Sequence, residues 1–220
     1  MRVKICGITQ VEQGQKIAEL GADSLGFICV KRSPRYITPD KIKAIAEHLP
    51  ATVDKVGVFA EHSLSEIMAI VYQANLTAVQ LHGTESPDFC TKLRQLLPPK
   101  IELIKAFRLK TAASWQATVV YQELVDTLLL DAYHPQMLGG TGKTIDWQTL
   151  KNFQPTIPWM LAGGLTPENI IDAISRLNPN GIDLSSGVER ASGDKDLTKV
   201  TQLFQQLKSR NDELQRIFRR

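Results

Sequence analysis

Two side chains in this sequence are suited to moving a proton between carbon and oxygen, the thiol of Cys6 and the carboxyl of Asp131. Cys6 closes the run Val3, Lys4, Ile5 and is followed by Gly7, so a strand ending there leaves room beside the sulfur. Only its thiolate would serve as a base or nucleophile, which requires a lowered pKa or a positive charge nearby. Asp131 ends Leu128, Leu129, Leu130. It is the one ionisable group at that strand end, where partial burial would raise its pKa toward the range of a proton donor. A strand cysteine is otherwise a small buried hydrophobe, the reading of Cys29 and Cys90, and an aspartate there also serves as a loop cap. Facing each other, thiolate base and carboxylic acid make a proton-transfer pair.

Small-residue turns supply a second kind of chemistry. Gly163 and Gly164 follow one apolar run, and Ser185, Ser186 and Gly187 follow the next. Turns of this kind hold phosphate through backbone N–H groups. The segment Gly139, Gly140, Thr141, Gly142, Lys143, Thr144 looks like a P-loop but fails its spacing, because Met137 stands where the first glycine belongs. A loop over 139–143 that folds across a bound substrate is the better reading. Arg35, in Ser33-Pro34-Arg35-Tyr36, lies in a proline-stiffened loop and is able to grip a carboxylate in bidentate fashion. His82 ends Gln80-Leu81-His82, and strand alternation aims it at the same region.

The elements that must position these groups are strands alternating with helices. Strands are predicted over 3–6, 24–29, 55–59, 78–81, 101–106, 127–131, 159–161 and 181–185. Helices are predicted over 11–20, 39–48, 64–73, 87–97, 112–124, 147–153, 167–176 and 195–209. Thr38-Pro39, Ser86-Pro87 and Thr166-Pro167 each read as a cap followed by proline in the first turn. Eight such units favour an α/β fold of one kind, a single (β/α)8 TIM barrel with a closed parallel eight-stranded sheet and outer helices. No dinucleotide fingerprint follows the first strand, which weakens the open-sheet alternative. Chemistry in such barrels gathers at the carboxyl ends of the strands, where Cys6, Arg35, His82, Asp131, Gly163, Gly164 and Ser185 to Gly187 all fall. Strand parity adds an expectation: Lys4 faces inward with Cys6 and Asp183 with Ser185, so Lys4 and Asp183 form an interior ion pair below the site.

Composition narrows the function further. The net charge of +3 is too small to argue for nucleic acid, and the excess gathers in a basic tail over 210–220, read as a solvated helix end after a barrel domain over 1–209. The first residues carry no apolar run of the secretory kind, and no stretch is apolar for the length of a membrane span. Three cysteines at unrelated spacings and four scattered histidines suggest neither a disulfide framework nor a metal site. The expectation is a cytoplasmic protein with a small-molecule phosphorylated substrate, working as a monomer or homodimer.

Taken together, Lys4-Ile5-Cys6-Gly7-Ile8-Thr9, Ser33-Pro34-Arg35, Gln80-Leu81-His82-Gly83, Leu130-Asp131 with Gly139-Gly140-Thr141-Gly142, Ala162-Gly163-Gly164-Leu165 and Asp183-Leu184-Ser185-Ser186-Gly187-Val188-Glu189 resemble the phosphoribosylanthranilate isomerase family. The resemblance runs from the first predicted strand to the last, in family order. It implies a single-domain (β/α)8 barrel that needs no cofactor and performs an Amadori rearrangement in tryptophan biosynthesis. Asp131 would then be the general acid, Cys6 the general base and Arg35 the holder of the anthranilate carboxylate. Gly163, Gly164, Ser186 and Gly187 would hold the phosphate, with His82 and Ser185 in the substrate site. Two alternatives stand beside it: another phosphosugar isomerase or epimerase on this fold, and a non-catalytic barrel that binds a phosphate ligand.

Overall fold

Alternation along each strand decides which side chains enter the barrel and which meet the helices. The computed structural model describes residues 1–108, 112–131, 150 and 152–218. Its strands are β1 (Arg2–Cys6), β2 (Ser24–Ile28), β3 (Asp54–Phe59), β4 (Ala78–Leu81), β5 (Glu102–Arg108), β6 (Thr127–Asp131), β7 (Trp159–Ala162) and β8 (Gly181–Leu184). They pair in sequence order, all parallel, and β8 returns to β1 to close the sheet. Two apolar layers result. One set fills the barrel itself, with Val56, Ala78, Ile104, Ala106, Leu129, Met160 and Ala162. A larger set, including Ile5, Leu25, Phe27, Leu103, Leu130 and Ile182, packs between sheet and helices.

The outer layer holds α1 (Val11–Glu19), α2 (Pro39–Ala46), α3 (Leu64–Gln73), α4 (Pro87–Leu96), α5 (Ile170–Leu177) and α6 (Leu197–Phe218). The expected caps are present at two of these helices: Thr38 accepts from the Lys41 N–H and Ser86 from the Phe89 N–H. Ser63 and Glu66 add a reciprocal capping box at α3.

Three predicted helices differ from those observed. The segment expected as an α-helix over 112–124 is instead a 3₁₀ helix, Ala112–Tyr121. Val119 and Val120 are exposed while Thr118 is buried, so this stretch has no apolar stripe of 3.6-residue period. Inward positions spaced by three suit the tighter helix. The helix expected from Pro167 begins at Ile170, because Asn169 bonds back to the Thr166 N–H and to the Gly164 carbonyl and holds the preceding residues in a turn. The last helix does not include Lys195, which lies in a hairpin of β9 (Glu189–Ala191) and β10 (Asp194–Lys195). It runs past Ser209 to Phe218. The predicted substrate loop over 139–143 and most of the predicted helix over 147–153 lie outside the described residues.

Candidate active site

All nine residues singled out for the site, Cys6, Arg35, His82, Asp131, Gly163, Gly164, Ser185, Ser186 and Gly187, line one cavity of about 440 Å³ at the carboxyl ends of the strands. Closure of the barrel brings them together, since β1 and β8 are neighbours and Lys4 stands in register with Asp183.

Cys6 ends β1 with its side chain inside the barrel. Below it, Lys4 is fully buried and its Nζ lies 2.9 Å from Asp183 Oδ2, the interior ion pair expected from parity. Burial pushes the Cys6 thiol up from its ordinary 9.0, and Asp183 adds to the rise. The ammonium groups of Lys4 and Lys195 pull the other way without reversing it. Burial also works against the Lys4 charge, but Asp183 and Cys6 outweigh it and hold its pKa above the usual lysine value.

Gly7 turns the chain out of β1 at φ +81°, and a Cβ there would stand 2.8 Å from Arg35 Cδ and 3.3 Å from Ser185 Oγ. Glycine is needed both for that backbone angle and for the approach of the arginine. Ser185 donates its hydroxyl to the Cys6 carbonyl at 3.1 Å, tying the ends of β8 and β1 together.

Across the cavity Asp131 ends β6, about one-fifth exposed, with Oδ2 3.4 Å from His82 Nε2. Gln80 Nε2 lies 2.9 Å from His82 Nδ1. With the amide donating, the imidazole carries its proton on Nε2 and directs it to Asp131. His82 thus follows β4 and faces the carboxylate, with Gln80 as its own partner. Gln80 was absent from the sequence reading of the site, although its position two residues before His82 puts it on the same strand face.

The turns after β7 and β8 press against each other. Gly163 and Gly164 take φ +92° and +66°, and a Cβ on Gly187 would overlap the Leu165 carbonyl oxygen. Ser186–Val188 is a short 3₁₀ turn, whose leading N–H groups have no partner within it. Two backbone loops in this arrangement suit a phosphate group.

Arg35 is held in a way the sequence did not indicate. Its Nη2 lies 2.6 Å from Glu189 Oε2 and its Nε 2.9 Å from Oε1. Lys195 Nζ is 2.7 Å from the same Glu189 Oε1, and Lys195 is fully buried. Glu189 closes a motif that the sequence analysis did use, but Lys195 carried no local signal.

A barrel with a thiol, a carboxyl and two glycine-rich turns converging on its carboxyl mouth has the architecture of enzymes that act on small phosphorylated metabolites. The particular family follows from comparison with known proteins. The pattern described as N-(5'phosphoribosyl)anthranilate (PRA) isomerase matches residues 3–206. The N-(5'-phosphoribosyl)anthranilate isomerase of Crocosphaera subtropica is 61% identical over 211 residues, covering 96% of this chain and 100% of that one. The crystal structure of the Thermotoga maritima phosphoribosyl anthranilate isomerase superposes with a TM-score of 0.86 at 36% identity, covering 95% of this chain and 99% of that one. A further structure of such an isomerase, in complex with reduced 1-(o-carboxyphenylamino)-1-deoxyribulose 5-phosphate, matches with a TM-score of 0.81 at 33% identity over 95% and 99% of the two chains. This chain therefore belongs to the N-(5'-phosphoribosyl)anthranilate isomerase family. It is an isomerase of tryptophan biosynthesis.

Proposed function

We propose that Cys6 and Asp131 are the general base and general acid of the Amadori rearrangement that converts N-(5-phosphoribosyl)anthranilate to 1-(2-carboxyphenylamino)-1-deoxyribulose 5-phosphate. The observation that carries the assignment is their placement. One ends β1, the other ends β6, and both line a single cavity with Arg35 and the two glycine-rich turns.

In this reading the phosphate rests on the turns after β7 and β8 and the anthranilate carboxylate meets Arg35, which fixes the ribose between them. Asp131 gives its proton to the furanose ring oxygen as the bond from that oxygen to C1 breaks, leaving a cationic imine between C1 and the anthranilate nitrogen. The Cys6 thiolate removes the proton from C2, and the electron pair moves into the C1–C2 bond to neutralise the imine. The enolamine then loses its hydroxyl proton and gains one at C1, giving the ketone. The positive imine acidifies C2 enough for a thiolate to act. His82 orients the Asp131 carboxyl, and Lys4 steadies the thiolate as it forms.

The reading extends to a cytoplasmic enzyme that is a monomer or a homodimer; the solved structures include monomers generated from the dimeric isomerase of Thermotoga maritima. Among the described residues no helix is long and apolar enough to cross a membrane.

The test is loss of anthranilate-type fluorescence when the protein meets freshly generated phosphoribosylanthranilate. Cys6→Ser and Asp131→Asn are each expected to slow the decay by about a hundredfold or more. Undiminished turnover in Cys6→Ser would remove it as the base. Ligand binding by the unmodified protein without turnover would favour a binding barrel.

A further inference from the structure

Glu189 takes no part in the chemistry above, yet it is a buried carboxylate with several charged partners beside the cavity. Its side chain is only 4% exposed. It accepts from Arg35 Nη2 at 2.6 Å and from Arg35 Nε at 2.9 and 3.1 Å. It also accepts from Lys195 Nζ at 2.7 Å and from the Gly193 N–H at 3.2 Å. These partners come from separate parts of the chain. Arg35 lies in the loop after β2, while Glu189 opens the hairpin that follows β8. No strand pairing joins those two segments, and this carboxylate links them through its bonds to Arg35.

A guanidinium offers carboxylates two bidentate edges. Glu189 occupies the edge formed by Nε and Nη2. Nη1 has no partner among the described residues, on a side chain that lines the cavity. Arg35, Lys195 and Glu189 together carry two positive charges and one negative, a single net positive charge for one incoming carboxylate. Without Glu189, two cations would face each other around Gly7 with no anion between them, and Arg35 would be free to leave the cavity wall.

We infer that Glu189 is a positioning residue for substrate recognition: it anchors Arg35 through one edge so that the other meets the aryl carboxylate of the substrate. The inference rests on the carboxylate-binding role proposed for Arg35. Anchoring of this kind improves affinity by removing the ordering cost of a long side chain, and its effect is confined to ligands that carry the carboxylate.

The experiment compares two ligands by titration calorimetry, so it needs no turnover. One is the reduced product analogue, 1-(o-carboxyphenylamino)-1-deoxyribulose 5-phosphate after reduction. The other is the same compound with a phenylamino group lacking the carboxylate. Glu189→Gln is expected to weaken the first by about tenfold or more and the second by less than about twofold. Arg35→Ala is expected to show the same selectivity, and Glu189→Gln to add nothing in its background. In turnover, Glu189→Gln raises KM more than it lowers kcat. Glu189→Asp, which keeps the charge and shortens the reach, gives a smaller loss with the same selectivity and serves if the glutamine variant does not fold.

Equal weakening of both ligands by Glu189→Gln, or an additive loss in the double variant, would overturn the positioning role while leaving Arg35 in place. Unchanged selectivity in Arg35→Ala would overturn the reading of Arg35 itself, and the role of Glu189 with it.

Discussion

Cys6 stands between opposing influences, and their balance sets how the enzyme responds to pH. Burial is the largest and favours the neutral thiol; Lys4 and Lys195 favour the thiolate, and Asp183 opposes it. Their balance raises the thiol above its ordinary 9.0. In the mechanism proposed above the reacting form holds one proton, on the acid and not on the Cys6 sulfur, so loss of the last proton abolishes it. The alkaline fall in kcat/KM, which reports the free enzyme, is therefore expected above pH 9.0. Lys4→Met removes a positive charge beside the sulfur and leaves Asp183 unbalanced, so both effects move that limb to still higher pH. A profile in Lys4→Met that coincided with the unmodified enzyme's would show that Lys4 does not act on the thiol.

At the scale of elements, the meeting of β1 with β8 is where fold and site are joined. Register places Lys4 opposite Asp183, and the pair is buried directly beneath Cys6. Asp183→Leu leaves an unpaired ammonium inside the barrel and is expected to destabilise the protein by about 3–5 kcal/mol. Adding Lys4→Met removes the stranded charge and should recover most of that loss. Chemical denaturation of the two single variants and the double variant gives the coupling, and additive losses would mean the two groups do not act as a pair. The Ser185 hydroxyl bond to the Cys6 carbonyl reinforces the same seam from above.

For the whole molecule, α6 completes the outer layer by packing on α1 and α5. Among its described side chains, the buried ones are Val200, Leu203 and Leu207, whereas Lys208 and Ser209 are exposed. The helical backbone nevertheless continues to Phe218. We therefore propose that the barrel domain is complete by residue 209 and that the basic end is a solvated extension. A chain ending at Ser209 is expected to keep kcat/KM within about twofold and to lose no more than about 4 °C in Tm, as for surface changes well under 1 kcal/mol. A larger fall in either would make the extension part of the fold.

Much of this architecture was legible in the residue order. Short apolar runs marked all eight strands, because a sheet covered by helices demands them locally. Thr38-Pro39 and Ser86-Pro87 marked helix starts through bonds that span only a few residues. Parity along two short strands was enough to pair Lys4 with Asp183. The segment 112–124 was misread because nothing in its own composition distinguishes α from 3₁₀ winding; the burial of Thr118 against the sheet does. The start of the helix after β7 was misread because Asn169 bonds backwards to the preceding turn. By itself, the sequence determined the strand–helix alternation, the inward faces and the residues able to do acid–base chemistry, since each depends on near neighbours in the chain. Only the tertiary structure decided that Glu189 holds Arg35 and Lys195, and that His82 stands between Gln80 and Asp131. Arg35 and Glu189 are 154 residues apart, and a contact at that separation exists only once the barrel has closed.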